Sequence, residues 1–199
     1  MAAYDIMPFK SPLGGTYEVR VAGMTASEVF DIGEPVVIVD GGTLTEPPDD
    51  ATQWILTDGE DGGTSVGIAC YGPAGGAQTN DRGAATNPKT GAAYAVNDEI
   101  AYWPASQGTL FITRNFYAAG AGSSVAPLVT DIGERYQIAY GTFGTPDAGW
   151  GVEQTAGVIG VDVQAVVVDV LDSQKAPIRV SGNAGVFVVF EINATLAAA

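Results

Sequence analysis

The chain contains no histidine, a single cysteine and only eight basic residues, and each shortage removes a class of chemistry. Without histidine there is no Ser–His or Cys–His nucleophile pair, no proton shuttle near neutral pH and no imidazole metal ligand. Cys70 alone excludes an intramolecular disulfide, a cysteine-rich zinc site and a CxxC redox motif. The sequence therefore favours a structural or binding protein over an enzyme, and we predict no catalytic residue, cofactor or metal ion.

Long hydrophobic runs are also missing. No stretch approaches the ~18 uninterrupted apolar residues that a membrane-spanning helix requires. The longest run, residues 165–168, lies between Gln164 and Asp169. The first residues lack the basic and apolar regions of a secretory signal. We therefore expect a soluble protein that is synthesised in a cytoplasm.

Charge is scarce and nearly all of one sign. Charged residues make up 16% of the 199 positions, and 23 acidic against 8 basic residues give a net charge of -15. Such a surface repels nucleic-acid phosphates and anionic lipid headgroups, so we predict neither nucleic acid nor a membrane as a partner. A positively charged protein surface or bound cations would be the natural electrostatic partner.

What the chain does contain predicts an all-β fold, a small barrel or a sandwich. Its 27 glycines and 11 prolines interrupt almost every window that a helix would need, and short segments rich in Val, Ile, Tyr, Phe and Thr lie between them. We predict that residues 99–104 pair with residues 109–114. Residues 72–93 and 118–127 are predicted to be long Gly-rich loops, the second resembling a linker.

The last third carries the strongest strand signal, and we predict a three-strand meander from residues 161–170, 178–181 and 185–192. In the last of these segments apolar residues occupy both faces, which predicts a central strand covered on both sides. Val161, Val163, Ala165 and Val167 are expected on one face of the first strand, with Val166, Val168 and Val170 on the other.

Residues 1–28 are predicted to form an extended N-terminal arm, and residues 29–199 a β-rich body. Division of the body into subdomains 29–117 and 128–199 is the alternative to a single unit. The arm carries apolar side chains without a long period, so it is either disordered or laid onto a partner. The residues predicted to contact that partner are Tyr4, Ile6, Met7, Phe9, Tyr17 and Val19.

One phrase recurs before predicted strands. Asp31-Ile32-Gly33-Glu34 is repeated as Asp131-Ile132-Gly133-Glu134, and residues 96–100 form a weaker third copy. Two interpretations stay open: an internal duplication, or a turn that commonly introduces strands.

Three further features could indicate a binding site or a reactive group, and each also has a simpler explanation. The acidic, Gly-rich residues 58–63 offer oxygens that calcium prefers but lack the EF-hand spacing, so a solvated turn is the alternative. Trp54, Trp103 and Trp150 would suit a sugar-stacking platform, or equally a core or a protein interface. Cys70 ends a predicted strand, where a buried inert thiol is usual.

The arm, the β body, the plain loops and the acidic surface together resemble the head decoration, or cement, proteins of tailed bacteriophages, in the style of the lambda type. The phrases that carry the resemblance are residues 30–41, with their strand-entry turn and Asp-Gly, and residues 175–178. The resemblance implies an arm that adds a strand to a neighbour, a homotrimer, and the major capsid protein as partner. It carries over no functional residue.

We therefore expect a structural virion protein on the capsid exterior that cements adjacent major capsid subunits. A carbohydrate-binding or adhesion module of a phage tail or cell surface is the first alternative, and exposure of the three tryptophans discriminates it. A self-assembling tail or shell subunit is the second alternative.

Overall fold

The computed structural model describes residues 6–10, 17–24, 33, 35–38, 44–45, 64–71, 87, 90–92, 95, 97–105, 108–118, 123–141, 149–156 and 164–193. Within these residues there are twelve strands, one short 3-10 turn at Val129–Asp131, and no α-helix. The strands are β1 Met7–Lys10, β2 Arg20–Gly23, β3 Pro35–Ile38, β4 Leu44–Thr45, β5 Thr64–Tyr71, β6 Glu99–Pro104, β7 Leu110–Thr113, β8 Phe116–Tyr117, β9 Arg135–Gly141, β10 Gly149–Ala156, β11 Gln164–Leu171 and β12 Phe187–Asn193. The prediction of an all-β fold is confirmed.

The strands form two sheets. Sheet A has the order β1-β7-β12-β11-β9-β10-β8, and sheet B has the order β2-β6-β5-β3-β4. All neighbouring pairs are antiparallel except β8 and β10, which run parallel. The chain leaves sheet B after β6 and builds sheet A from β7 onward, with β1 as the exception. The change of sheet therefore falls between residues 104 and 110, and the predicted subdomain 29–117 includes two strands of sheet A.

The main core lies on the inner face of sheet A. Ile68 of sheet B belongs to the same buried cluster, and Trp103 of sheet B packs against it, so the two sheets share one core as in a sandwich. The buried members from sheet A and its edge are Ile6, Phe111, Phe116, Ile138, Trp150, Val152, Ala165, Val167, Val170, Val188, Phe190 and Ile192. The opposite face of sheet B holds a second cluster of Met24, Val36, Ala69, Ile100 and Tyr102.

The predicted central strand is found in β12. It lies between β7 and β11, with Val188 and Phe190 in the inner core and Val189 buried on the other face. Apolar side chains of β12 are therefore buried on both faces of the strand, as expected for a central position in a sheet.

Strand β11 differs from the predicted alternation because it contains a β-bulge. Val167 is opposite Phe190 and Asp169 is opposite Val189, so Val168 is an extra residue on β11. The extra residue shifts the period by one, which brings Val170 to the inner face together with Ala165 and Val167. Val168 itself is 40% exposed.

Two predicted pairings are wrong. Residues 99–104 and 109–114 do not form a hairpin, because β6 pairs with β2 and β5 while β7 pairs with β1 and β12. Residues 178–181 are not a strand of a meander: the connection between β11 and β12 touches the sheet at a single bridge, Leu171 to Pro177. In both cases a local alternating pattern cannot reveal which non-local strand accepts the hydrogen bonds.

The recurring phrase is a turn followed by a bulge. At the best-defined copy the amide of Glu134 donates to the carbonyl of Asp131 at 3.0 Å, with Ile132 at φ −64°, ψ 124° and Gly133 at φ +91°, which is a type II turn. Gly133 then donates to the carbonyl of Val167, and Val167 donates back to Glu134. Gly133 and Glu134 therefore both lie opposite Val167, as in a G1 bulge.

The other two copies share the left-handed residue and its hydrogen bond to a neighbouring strand or the residue beside it. Gly33, at φ +98°, donates to Ala69 of the neighbouring strand β5. Asn97, at φ +66°, donates to Met24 beside β2, and Met24 donates back to Asp98. The left-handed residue therefore occupies the same place before β3, β6 and β9, which fits the interpretation of a strand-entry turn.

The described part of the predicted arm belongs to the two sheets of its own chain. Strand β1 pairs with β7, and Ile6 beside it is fully buried in the main core. Strand β2 pairs with β6, and Met24 at its end is 1% exposed in the second cluster. A boundary at residue 28 does not separate an arm from the core, because Ile6 and Met24 are both core residues.

Candidate functional site

The outer face of sheet A carries an apolar cluster that the inner core does not use. Alternation along β7, β11 and β12 sends every second side chain away from the core, and three of these, Ile112, Leu171 and Val189, are buried on the outer side. Phe9, Leu110 and Phe187 pack against them and are half-buried, and Met7 beside Ile112 is 39% exposed. These seven residues are called the outer patch: Met7, Phe9, Leu110, Ile112, Leu171, Phe187 and Val189.

Two of the residues predicted to contact a partner lie in the outer patch. Met7 of β1 is opposite Ile112 of β7, and Phe9, two residues further along β1, packs against the same cluster. A shift of register between Pro8 and Lys10 leaves Lys10 opposite Leu110. The bulge therefore adds a cation to the apolar side of β1.

Of the other four predicted contact residues, three lie away from this surface and the fourth lies outside the described residues. Ile6 points into the main core, so in this arrangement its side chain is not available to a partner. Tyr17 is half-buried and Val19 is 53% exposed, just before β2 on sheet B. Tyr4 lies outside the described residues.

Basic side chains surround the outer patch. Arg114 and Lys175 lie over the ring of Phe187, and Arg179 pairs with Asp169. Arg135 is on the same side of the sheet, because it is opposite Val166 of β11, which is opposite Glu191 of β12. With Lys10, five of the eight basic residues of the chain are on one side of one sheet.

Phe187 is the point where the apolar and the basic parts meet. The guanidinium carbon of Arg114 and the ammonium nitrogen of Lys175 each lie 5.8 Å from the centroid of its ring. A cation over the negative face of an aromatic ring gains about 0.5–1 kcal/mol at an exposed site. The two cations are thereby held near the ring instead of sampling solvent freely.

The carboxylates of this side are already engaged within the chain. Arg179 donates to both oxygens of Asp169, at 2.6 and 3.0 Å, and this pairing holds the pKa of Asp169 below its ordinary value. Glu191 accepts the amide of Gly108 at 2.6 Å. Asp172 accepts backbone amides in its own turn. Neither Arg114 nor Lys175 has a carboxylate partner within the part of the chain that the structure describes.

A different acidic residue, Asp131, has a structural role. It is 5% exposed and accepts the amide of Leu128 and the hydroxyl of Tyr136, at 2.6 and 2.8 Å, with the Gln154 amide at 3.3 Å. Burial, and then the bond to Asp131, raise the pKa of the Tyr136 phenol well above its ordinary value. These contacts fix the turn that begins β9.

The acidic turn, the tryptophans and Cys70 were the candidate binding or reactive features of the sequence, and the structure describes some of them. Residues 58–63 and Trp54 lie outside the described residues. Trp150 is 1% exposed in the core and Trp103 packs against the core. Cys70 is half-buried in β5, and burial raises the pKa of its thiol to about 11, which keeps it protonated near neutral pH. Among the described residues no group of three or more His, Cys, Asp or Glu side chains is placed to hold a metal ion.

The basic side chains around the outer patch, here called its basic rim, could not be recognised as a group in the sequence, because they are brought together by strand order. Lys10, Arg114 and Arg179 are far apart in the chain and meet only because β1, β7, β12 and β11 are neighbours. One signal was present: Phe187 and Val189 stand on the opposite face of β12 from the core residues, which indicated a second covered face.

Comparison with known proteins adds no relative. No protein-family model matches the chain, and neither the curated proteins nor the solved structures contain a significant match to it. In the described ranges, no helix has the length and apolar character needed to cross a bilayer.

Proposed function

We propose that the protein is a structural component of a virion, which binds the outer surface of a capsid and cements adjacent major capsid subunits. The observation that supports a binding role is the outer patch. An apolar cluster whose margin is partly exposed, with basic side chains around it, has the composition of many protein–protein interfaces, in which a few aromatic and arginine side chains supply most of the affinity. The assignment of the partner as a capsid comes from the resemblance to decoration proteins.

The proposed mechanism is mechanical. A protein that touches two neighbouring capsid subunits adds contacts that internal pressure must break before the shell separates. A typical stable interface buries about 1,600 Å² in total. The binding free energy contributed by each copy is modest, but it is repeated many times over the shell. Assembly as a homotrimer on the capsid exterior, after synthesis in the host cytoplasm, belongs to the same proposal.

The alternative of a carbohydrate-binding module has less support. Such a module stacks sugars on exposed aromatic rings, whereas Trp150 is buried and Trp103 packs against the core. A self-assembling tail or shell subunit stays as the second alternative, and it differs in needing no other protein to assemble.

The test is co-sedimentation of the purified protein with empty capsids, with an insoluble polysaccharide, and alone. The proposal expects pelleting with capsids only. Met7→Ser in the outer patch should weaken pelleting, because it removes an exposed apolar contact. Val21→Ser is the matched control, since Val21 is an exposed apolar residue, 59% accessible, on β2 of sheet B. Pelleting with polysaccharide, or self-assembly without capsids, would refute the proposal.

A further inference from the structure

The distribution of charge over this chain is strongly uneven. Five of its eight basic residues face the outer side of sheet A, so only three remain for the rest of a molecule that carries 23 acidic residues. The net charge of -15 is a sum over the whole chain, so it does not show that basic residues are concentrated on this side.

The carboxylates described on this side have partners other than Arg114 and Lys175. Asp169 is bound by both nitrogens of Arg179, and Glu191 is bound by the amide of Gly108. Arg114 and Lys175 are positioned over Phe187, and among the described residues no carboxylate neutralises them. Their positive charge is available to a partner next to half-buried apolar side chains.

We infer that the outer patch binds an acidic, apolar segment of a partner protein, whose carboxylates pair with Arg114 and Lys175 while its aliphatic side chains pack on Phe9 and Leu110. This inference rests on the proposed function and names the chemistry of the partner at that face. It also reverses, at this one surface, the expectation that a positively charged partner is preferred.

Charge complementarity determines this choice of occupant. A carboxylate placed against Arg114 gains a charge-assisted hydrogen bond, whereas a lysine or arginine there would be repelled. The acidic remainder of the protein repels an acidic partner everywhere else, so the partner is directed to one orientation. At physiological salt the Debye length is about 8 Å, so the distant negative charges are screened more than the contacts at the patch.

A purely structural role for the cations makes a different prediction. Lys and Arg stems often cover apolar surface while their charges stay in water. In that case replacing Arg114 would change stability and leave binding unaffected. Binding and unfolding must therefore be measured on the same variants.

The experiment titrates the full chain with a short peptide of glutamate and leucine, and with a control peptide in which lysine replaces every glutamate. Amide and methyl NMR shifts locate the site, and the dissociation constant is measured at physiological salt. We expect the acidic peptide to shift resonances of β7 and β12 and the basic peptide to bind at least about tenfold more weakly, as loss of one charge-assisted contact implies.

Four variants make the test specific. Arg114→Glu should weaken binding of the acidic peptide at least about tenfold, and Arg114→Lys should retain most of it. Arg20→Glu is the control, because it makes the same change of charge at an exposed arginine on sheet B. If Arg114→Glu does not fold, as judged by its thermal melt, Arg114→Gln replaces it, with the same direction expected.

Several outcomes would overturn the inference. They are equal binding of both peptides, no binding of either, or the same affinity in Arg114→Glu as in the wild type. Concentration-dependent association of the protein alone, abolished by Arg114→Glu, would show that a second copy occupies the patch instead. Capsid binding that needs Met7 but ignores Arg114 would leave the proposed function intact and refute only the acidic partner.

Discussion

Phe187 and Phe190 are two phenylalanines of the same strand that should respond very differently to truncation. Phe190 is fully buried on the inner face of β12, and its ring centroid lies 6.1 Å from that of Phe111, with the planes tilted by 33°. Phe187 is half-buried on the outer face beneath Arg114 and Lys175. Each substitution to alanine removes the same atoms from the same strand, so the comparison isolates the effect of the face.

The expected magnitudes follow from these surroundings. A fully buried phenylalanine replaced by alanine costs about 3–5 kcal/mol, since the burial energy is lost and a cavity remains. For Phe187 about half of the ~1.5–3 kcal/mol of full burial is at stake, together with weak cation–π contacts of about 0.5–1 kcal/mol each. Phe187→Ala should therefore cost about 1.75–3.5 kcal/mol, less than Phe190→Ala.

The assay is equilibrium unfolding in urea, followed by far-UV circular dichroism and by tryptophan fluorescence from the buried Trp150. Coincident transitions establish two-state behaviour, and an unchanged slope allows the midpoints to be compared directly. Phe190→Leu serves as a control that keeps most of the apolar volume and should lose less than Phe190→Ala. Equal losses in the two alanine variants, or a loss under about 1.5 kcal/mol for Phe190→Ala, would refute the assignment of the faces.

Three other predictions test the backbone and the buried polar contacts. Gly151→Ala should destabilise by about 2 kcal/mol or more, because a Cβ there would overlap the carbonyl of Asn115, which is backbone and cannot easily move; a near-neutral midpoint shift in urea would contradict this packing. Gly133→Ala should lower the free energy of unfolding by about 1–2 kcal/mol, because φ is +91° and the surrounding space is open, so the penalty is purely conformational. Gly133→Asn should recover part of this loss. An alanine variant as stable as the wild type would show that the residue is not left-handed. The raised pKa of Tyr136 adds stability that is complete below the unfolded pKa of about 10 and declines as the pH rises toward the folded pKa. The free energy of unfolding of Tyr136→Phe should therefore fall less than that of the wild type between pH 10 and 11. An identical fall in both proteins would refute the raised pKa.

The elements that sequence analysis predicted best are those whose signal is local. Among the described residues, segments rich in β-branched or aromatic residues such as 35–38 and 99–104 are strands, and the two apolar faces of residues 187–192 identified β12 as central because burial on both sides leaves no polar alternation. The strand-entry turn was also visible, because Gly33 and Gly133 supply a conformation that other residues seldom adopt.

What could not be predicted depends on non-local pairing. The pattern of residues 99–114 suggested a hairpin, yet β6 and β7 join different sheets, and no feature of an alternating pattern encodes that choice. The bulge at Val168 moved Val170 to the inner face for the same reason, because an extra residue is defined by the partner strand. The basic rim of the outer patch depends on the order of four strands, so its residues looked unrelated in the sequence.

Strand β1 has a consequence for the time course of folding. Its partner β7 begins only at Leu110, so β1 is synthesised well before the strand with which it pairs. At about 5–20 residues per second, on the order of 10 s of translation separate the synthesis of β1 from the synthesis of β7. Non-local pairing of this kind also slows folding after release. For that interval Ile6, Met7 and Phe9 are exposed to other chains, and closure of β1 onto β7 is the step that buries Ile6 and partly buries Phe9.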